Sequence, residues 1–211
     1  MSRADAARNR RSLLDAAAAE LAEQGLEVSI ARIAARAGVA KGTVFNHFPT
    51  KEDLIAEIFG DRVACLVTLG ETLLEEVDPG SALLRFMTAG IELQANDRSF
   101  CQAAAAIPGS HPRVRAASER LAQTAETLTA RARDAGMIRP DVTGHDIVLL
   151  LGAAAQAAAP LGNTMPDLWR RYLYLIFDGL RPECARELPV AAPTSDEFTA
   201  AVKTIPAKGA G

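Results

Sequence analysis

Hydrophobic positions recur at helical spacing along nearly the whole chain. Leu13, Leu14, Ala17, Leu21 and Ala22 share one face at intervals of three and four residues. The series stops at Gly25, a residue suited to the left-handed position just beyond a helix end. Ser29 is placed to cap a short second helix carrying Ile30, Ile33, Ala34 and Ala37, which stops at Gly38. From Lys41 to Phe48 there is room for only a short third helix before Pro49. Thr50 and Asp53 make a capping-box pattern, and Leu54, Ile55, Ile58, Phe59, Leu66, Leu69 and Leu73 then predict a long fourth helix ending near Asp78. Further punctuation at Asp78-Pro79, Asn96-Asp97, Pro108 to Pro112, Gly136, Thr143 with Asp146, and Pro166 divides the remainder into five more helices. The chain therefore reads as all-α, with about nine helices. After Arg181-Pro182 the periodicity dissolves into Pro, Ala, Thr and Lys, so residues 183–211 are expected to be a disordered tail without a function of their own.

Composition agrees with packed helices: 49% of the 211 residues are apolar, only 5% are aromatic, and runs of β-branched residues are few. Cys65, Cys101 and Cys184 lie far apart without a CxxC pair, which suggests neither a disulfide framework nor a zinc site. Met1 to Arg11 is charged and alanine-rich, unlike a signal peptide. The strongest apolar run, Ile147 to Ala159, is short for a bilayer and contains Gln156. A soluble, cytoplasmic protein without a membrane partner is expected.

The net charge of −3 hides a polarity along the chain. Residues 1–51 hold eight Lys and Arg against five Asp and Glu, a surplus of three, so the remainder sums to minus six. A basic head on an acidic body suits contact with phosphates, because charge within a Debye length of about 8 Å outweighs the total. Ordinary scatter of surface charge explains the same numbers equally well.

The informative stretch is SIARIAARAGVAKGTVFNHFPTK, Ser29 to Lys51. A helix-turn-helix needs small residues where its helices touch, a glycine in the turn, apolar anchors inside, and polar side chains projecting from the second helix into the major groove. Ala34, Gly38, Val39, Val44 and Phe48 match the inner roles. Lys41, Thr43, Asn46 and His47 match the outer ones, and Lys51 opens the next helix.

These residues resemble a known family. AGVAKGTVFNHFPTKEDL looks like the signature of tetracycline-repressor (TetR) regulators, roughly AGVSKGTLYHHFPSKEALL, and the likeness extends over residues 8–66. It implies a DNA-binding head at 1–50 and a helical regulatory and dimerisation body at 51–182. It also implies a homodimer on palindromic operator DNA, and a repressor released by an unknown small-molecule effector through movement of the fourth helix. By the same resemblance Ser29, Lys41, Gly42, Thr43, Phe45, Asn46, His47 and Lys51 lie at the DNA. Thr43, His47 and Lys51 would rest chiefly on phosphates, and Lys41, Gly42 and Asn46 would read bases. Lys donates to guanine O6 and N7, Asn pairs with adenine, and Gly42 lets the backbone approach. Phe45 stands where Tyr is usual, so a phosphate hydrogen bond gives way to apolar packing; Ala40 stands where Ser often caps the helix, so the cap is lost; and Ala31, where relatives carry a longer side chain, offers little base readout.

The second half says less. DAGMIRPDVTGHD with LWRRYLYLIFDGLR is similar to one recurring C-terminal subtype, whose last two helices, here about 143–159 and 166–179, pair with their copies as a four-helix bundle. Candidate effector-pocket residues are Phe86, Met87, Phe100, Cys101, Leu121, Leu128, Gln156 and Trp169, each of which, taken singly, reads more readily as core. Gln156 among alanines bonds an effector, bonds its copy, or points to water. An enzyme is disfavoured: His47, His111 and His145 are isolated, no His-Glu-x-x-His or Gly-x-Ser-x-Gly unit occurs, and neither a metal nor a cofactor is expected. A helical interaction module that does not bind DNA is the other rival.

Overall fold

The computed structural model describes residues 3–204. Ten α-helices and no strand occur among them: α1 (Arg3–Gln24), α2 (Ile30–Arg36), α3 (Lys41–His47), α4 (Lys51–Leu73), α5 (Pro79–Asn96), α6 (Arg98–Ala106), α7 (Pro112–Asp134), α8 (Gly144–Ala158), α9 (Leu168–Gly179) and α10 (Ser195–Thr204). Their starts follow the expected chemistry. Ser29 Oγ accepts from Arg32 N at 3.2 Å, Asp78 and Asp97 cap α5 and α6, and Thr50–Asp53 and Thr143–Asp146 form reciprocal capping boxes. At the ends of α2 and α7, Gly38 and Gly136 take positive φ (69° and 68°). The two-bond closure of a Schellman motif follows: Val39 N donates to Ala34 O and Gly38 N to Ala35 O, with the equivalent pair at Met137 and Gly136.

Two expected boundaries move. Helix α4 stops at Leu73 rather than near Asp78, because the amides of Glu75 and Glu76 tighten onto Thr72 and Leu73, and the Glu76 carbonyl is taken by the Arg131 guanidinium of α7. The tail expected to be disordered carries α10, opened by a further reciprocal cap between Thr194 and Glu197, with Phe198 buried against the ring of His145. Residues 205–211 of that tail lie outside the described residues. The segment leading to α10 is anchored by Arg139. Its guanidinium, buried between helices, meets both oxygens of Asp141 and donates to Arg186 O, while its amide donates to Leu180 O at 2.7 Å.

The buried side chains form two cores. The first joins Leu13, Ala17, Leu21, Ile33, Val44 and Phe48 of α1 to α3 to Leu54, Ile55 and Ile58 of α4. The second gathers Leu66 and Leu73 of α4 with Phe86, Met87, Leu128, Leu151, Trp169 and Phe177. Helix α4 thus runs through both. A smaller element joins the first core from the body, where Ala103 and Ile107 of α6 and its following turn, and Val114 of α7, complete it. Helices α4 and α6 are joined by the Phe59–Phe100 ring stack (5.2 Å between centroids) and by Arg62 Nε 2.9 Å from the Asp97 carboxylate.

Burial pushes the Asp97 carboxyl upward, but hydrogen bonds from Ser99 and the Phe100 amide and the charge of Arg62 outweigh it, and the group ends below its ordinary value. A carboxyl lowered by folding stabilises fully above its unfolded pKa of about 3.9 and ceases to as pH falls through the lower folded value. The urea midpoint is therefore expected to drop on acidification below about pH 4. Asp97→Asn, which keeps the cap and cannot ionise, should flatten that drop; an unchanged profile would refute the assignment.

Candidate nucleic-acid interface

Helix α3 buries one side and bares the other. Val44 (0% exposed) and Phe48 (2%) are sunk in the first core, whereas Lys41, Gly42, Phe45 and Asn46 are exposed on the outer side. This division follows from the i, i+4 spacing of Val44 and Phe48, which puts the residues between them on the outer face. Helix α3 has no side-chain cap at Ala40, as its sequence requires, and is held instead by the Gly38 turn and by Val44. Lys41 Nζ lies 5.9 Å from the centre of the Phe45 ring, so base and ring occupy one ridge. A Cβ built on Gly42 meets no atom within 4 Å, so nothing within the fold demands a glycine there.

The other candidates are divided. Thr43 and His47 are half-buried at the flanks of the same helix, and Ser29 is exposed while its hydroxyl caps α2. Lys51 is half-buried and its amine donates to Leu26 O, which ties the start of α4 to the end of α1. Several cations that make the head basic are similarly engaged. Arg32 and Arg36 converge on Glu20, whose side chain is 5% exposed, at 2.6 and 3.1 Å; Arg36 also reaches Glu23, and Arg10 pairs with Glu57. The hydrogen bond and charge of Arg36 hold the Glu23 carboxyl below its ordinary value. The side chains of Arg3, Asp5 and Arg8 lie outside the described ones. Of the counted surplus, the uncommitted cation on the outer ridge among the described residues is Lys41.

A cavity of about 520 Å³ lies in the body against α4 and α6. Phe59, Phe100, Ile107, Val114, Leu121, Val148, Leu149 and Phe198 supply apolar walls, and Gln94, Ser118 and Glu197 the polar points. Of the eight residues expected to form a pocket, Phe100 and Leu121 line this one. Phe86, Met87, Leu128 and Trp169 do not: each is at most 1% exposed and fills the second core. Gln156 stands exposed on the outer side of α8, and Cys101 is an exposed thiol bonded to Gln94 O, its pKa pushed up by burial of the sulfur and by Asp97. The sequence reading missed Phe59, Gln94, Ser118 and the α10 wall. The Thr194-x-x-Glu197 spacing before Phe198 was the signal available for the last of these. Cys65 is a free exposed thiol, the side chain of Cys184 lies outside the described ones, and no group of His, Cys, Asp or Glu among the described residues is arranged to hold a metal.

An α3 bared for a groove, a connector helix shared by two cores, and a cavity against that connector define a helix-turn-helix transcription regulator with a ligand-sized body cavity. Residues 13–58 match the description "Bacterial regulatory proteins, tetR family", and residues 78–182 match "Transcriptional regulator SbtR-like, C-terminal domain". A TetR transcription regulatory protein of Mycobacterium vanbaalenii is 36% identical, covering 85% of this chain and 98% of that one, with TM-score 0.61. The FadR regulator of Bacillus subtilis in complex with stearoyl-CoA shares the fold at 17% identity and TM-score 0.65, over 81% of this chain and 99% of the other. A curated relative, the fatty acid metabolism regulator protein of Bacillus subtilis (strain 168), is 29% identical over 90 residues, 42% of this chain and 46% of its own length. The chain belongs to the tetR family of bacterial transcriptional regulators, a family of regulators rather than of enzymes.

Two substitutions separate the outer ridge from the fold. Gly42→Ala, at an open helical position, should leave the melting temperature unchanged or raise stability by up to about 1 kcal/mol, while a methyl in the path of the duplex weakens operator binding at least about tenfold. Electrophoretic mobility assays beside thermal melts check this, and unchanged affinity would remove Gly42 from the interface. Asn46→Ala should cost about 1–3 kcal/mol at particular base pairs only. Lys41→Ala should also reduce the slope of log affinity against log salt by about one unit if the amine lies at a phosphate, and leave it unchanged if it reads a base.

Proposed function

We propose that the chain is a cytoplasmic repressor that binds a palindromic operator as a homodimer and is released by a small organic effector. The observation that carries the reading is α3, buried by Val44 and Phe48 on one side and bare at Lys41, Gly42, Phe45 and Asn46 on the other. The DNA-binding head is assigned to residues 1–50 and the regulatory body to 51–182, with the head's core reaching on into Leu54, Ile55 and Ile58 of α4, and the polarity of charge between them favours the head as the phosphate-facing part. Thr43, His47 and Lys51 are assigned to phosphates. For Lys51 that role requires the amine to leave Leu26 O or to share it.

A homodimer is supported by α8 and α9. Tyr174 (56% exposed) and Leu175 (58%) of α9 are apolar and outward, as are Ala153 and Ala157 of α8, and α8 with its following turn, Gly144–Leu161, is apolar enough that a second helical pair is its natural cover. Two such helices from each copy make a four-helix contact and set two α3 helices on half-sites about 34–36 Å apart. The outward position of Gln156 favours pairing of its amide across that contact over a role in the cavity.

The cavity is assigned to the effector. Stearoyl-CoA in the Bacillus subtilis FadR supports an organic ligand in a body of this fold. The coupling runs through α6, which turns Phe100 to the cavity and Ala103 to the first core, and through Phe59 of α4. A molecule seated at the Phe59–Phe100 stack shifts α6 against the head and tilts α4, changing the spacing of the two recognition helices. A hundredfold loss of operator affinity requires about 2.7 kcal/mol of preference for the shifted state.

Selection from random duplexes is expected to yield a two-fold symmetric site, and sequence-blind recovery would overturn the reading. Leu175→Glu, at an exposed position, should leave the monomer folded by circular dichroism, halve the mass in sedimentation, and lower operator affinity by at least about a hundredfold, because a single head loses the second half-site. A monomeric wild type with full affinity would exclude the dimer.

A further inference from the structure

The segment after residue 182 lies beyond both family matches, yet it closes one side of the cavity. It is tied down at one end, where Arg139 holds Arg186 O, and docked at the other by Phe198, whose ring sits 4.7 Å from that of His145 at a tilt of 44°. Among the described residues no hydrogen bond or ion pair joins Thr194–Ala200 to the rest of the body; the polar contacts of that stretch are internal, from the Thr194 amide and hydroxyl to Glu197. A wall fixed by a hinge, by the Phe198–His145 contact and by packing of α10 on α7, without a polar tie among the described residues, is the side most easily opened. It also brings charge. Glu197 lines the cavity, and hydrogen bonds from the Thr194 amide and hydroxyl lower its pKa, so it is ionised at neutral pH. The other polar points, Gln94 and Ser118, are neutral, and no Lys or Arg is among the described lining residues.

We propose that Pro193 to Phe198 is a hinged wall of the effector cavity, latched by His145, and that it admits an apolar molecule carrying a neutral hydrogen-bonding group and no negative charge. This rests on the reading of the cavity as the sensing site. A carboxylate or phosphate head would meet the like charge of Glu197 at the exposed rim of the cavity, without a compensating cation among the described lining residues. A hydroxyl or carbonyl head finds the Gln94 amide and the Ser118 hydroxyl.

The test uses the full chain and Nile red, an uncharged apolar dye. Phe198→Ala, and His145→Ala, which does not line the cavity, should each accelerate dye dissociation by about tenfold, the order of one aromatic contact, while the thermal melt of the body stays in place. Dodecanol should displace the dye at least about tenfold more effectively than dodecanoate, and Glu197→Gln should narrow that gap. Unchanged dissociation in both latch variants, equal competition by the alcohol and the acid, or failure of the full chain to take up the dye would each overturn the proposal. If the latch behaves as expected but dodecanol never alters operator affinity, the hinged wall stands and the sensing function of the cavity falls.

Discussion

The constraint on which the molecule turns is that α6 belongs to two environments at once. Ala103 and Ile107 are packed into the core of the helix-turn-helix, while Phe100 and Ala104, neighbours on the same face, line the cavity, which Ile107 also touches. Close-packed interiors do not deform continuously, so a displacement of α6 cannot be absorbed on one side alone. Asp97 strengthens the coupling by capping α6 and meeting Arg62 of α4 with the same carboxylate. The two helices that separate the cavity from the DNA-binding surface therefore move together or not at all.

Charge in the head serves the fold before it serves DNA. Glu20 gathers Arg32 and Arg36, and Glu57 holds Arg10 of α1 and Arg113 of α7 together, so α4 is pinned to the head and to the body at one residue. Asp53 adds a contact to His111 at the start of α7, 3.4 Å away, and its carboxyl is held low by the Thr50 hydroxyl, with a smaller part from His111. These pairs fix the entry angle of α4 into the body. They also leave Lys41 as the uncommitted cation on the outer side of α3 among the described residues.

The body divides its apolar residues between filling and enclosing. Phe86, Met87 and Trp169 are fully surrounded and make the second core dense, and the helices approach so closely there that a Cβ on Gly70 or Gly90 would run into Thr124 or Leu151. The cavity lies to one side of this packing, where α4, α6, α7 and α8 diverge and α10 covers part of the gap. A dense core thus stands beside a loosely covered cavity, and the elements around that cavity include α4 and α6.

The amino-acid sequence by itself determined the helices, their caps, the helix-turn-helix and the residues bared on α3. Each of these depends on neighbours within a few positions: Ser29 reaching Arg32 N, Gly38 accepting a positive φ, Val44 and Phe48 sharing a face. The capping box at Thr194 was equally local, but it was submerged in a Pro- and Ala-rich composition that reads as a tail. Tertiary structure alone decided which apolar residues enclose space and which fill it. Phe86 and Phe100 are alike in sequence, and only the separation of the helices around them makes one a core residue and the other a wall. It also decided that Lys51 turns inward to Leu26 and Gln156 outward, because the partner of a long side chain is set by what the fold brings within its reach.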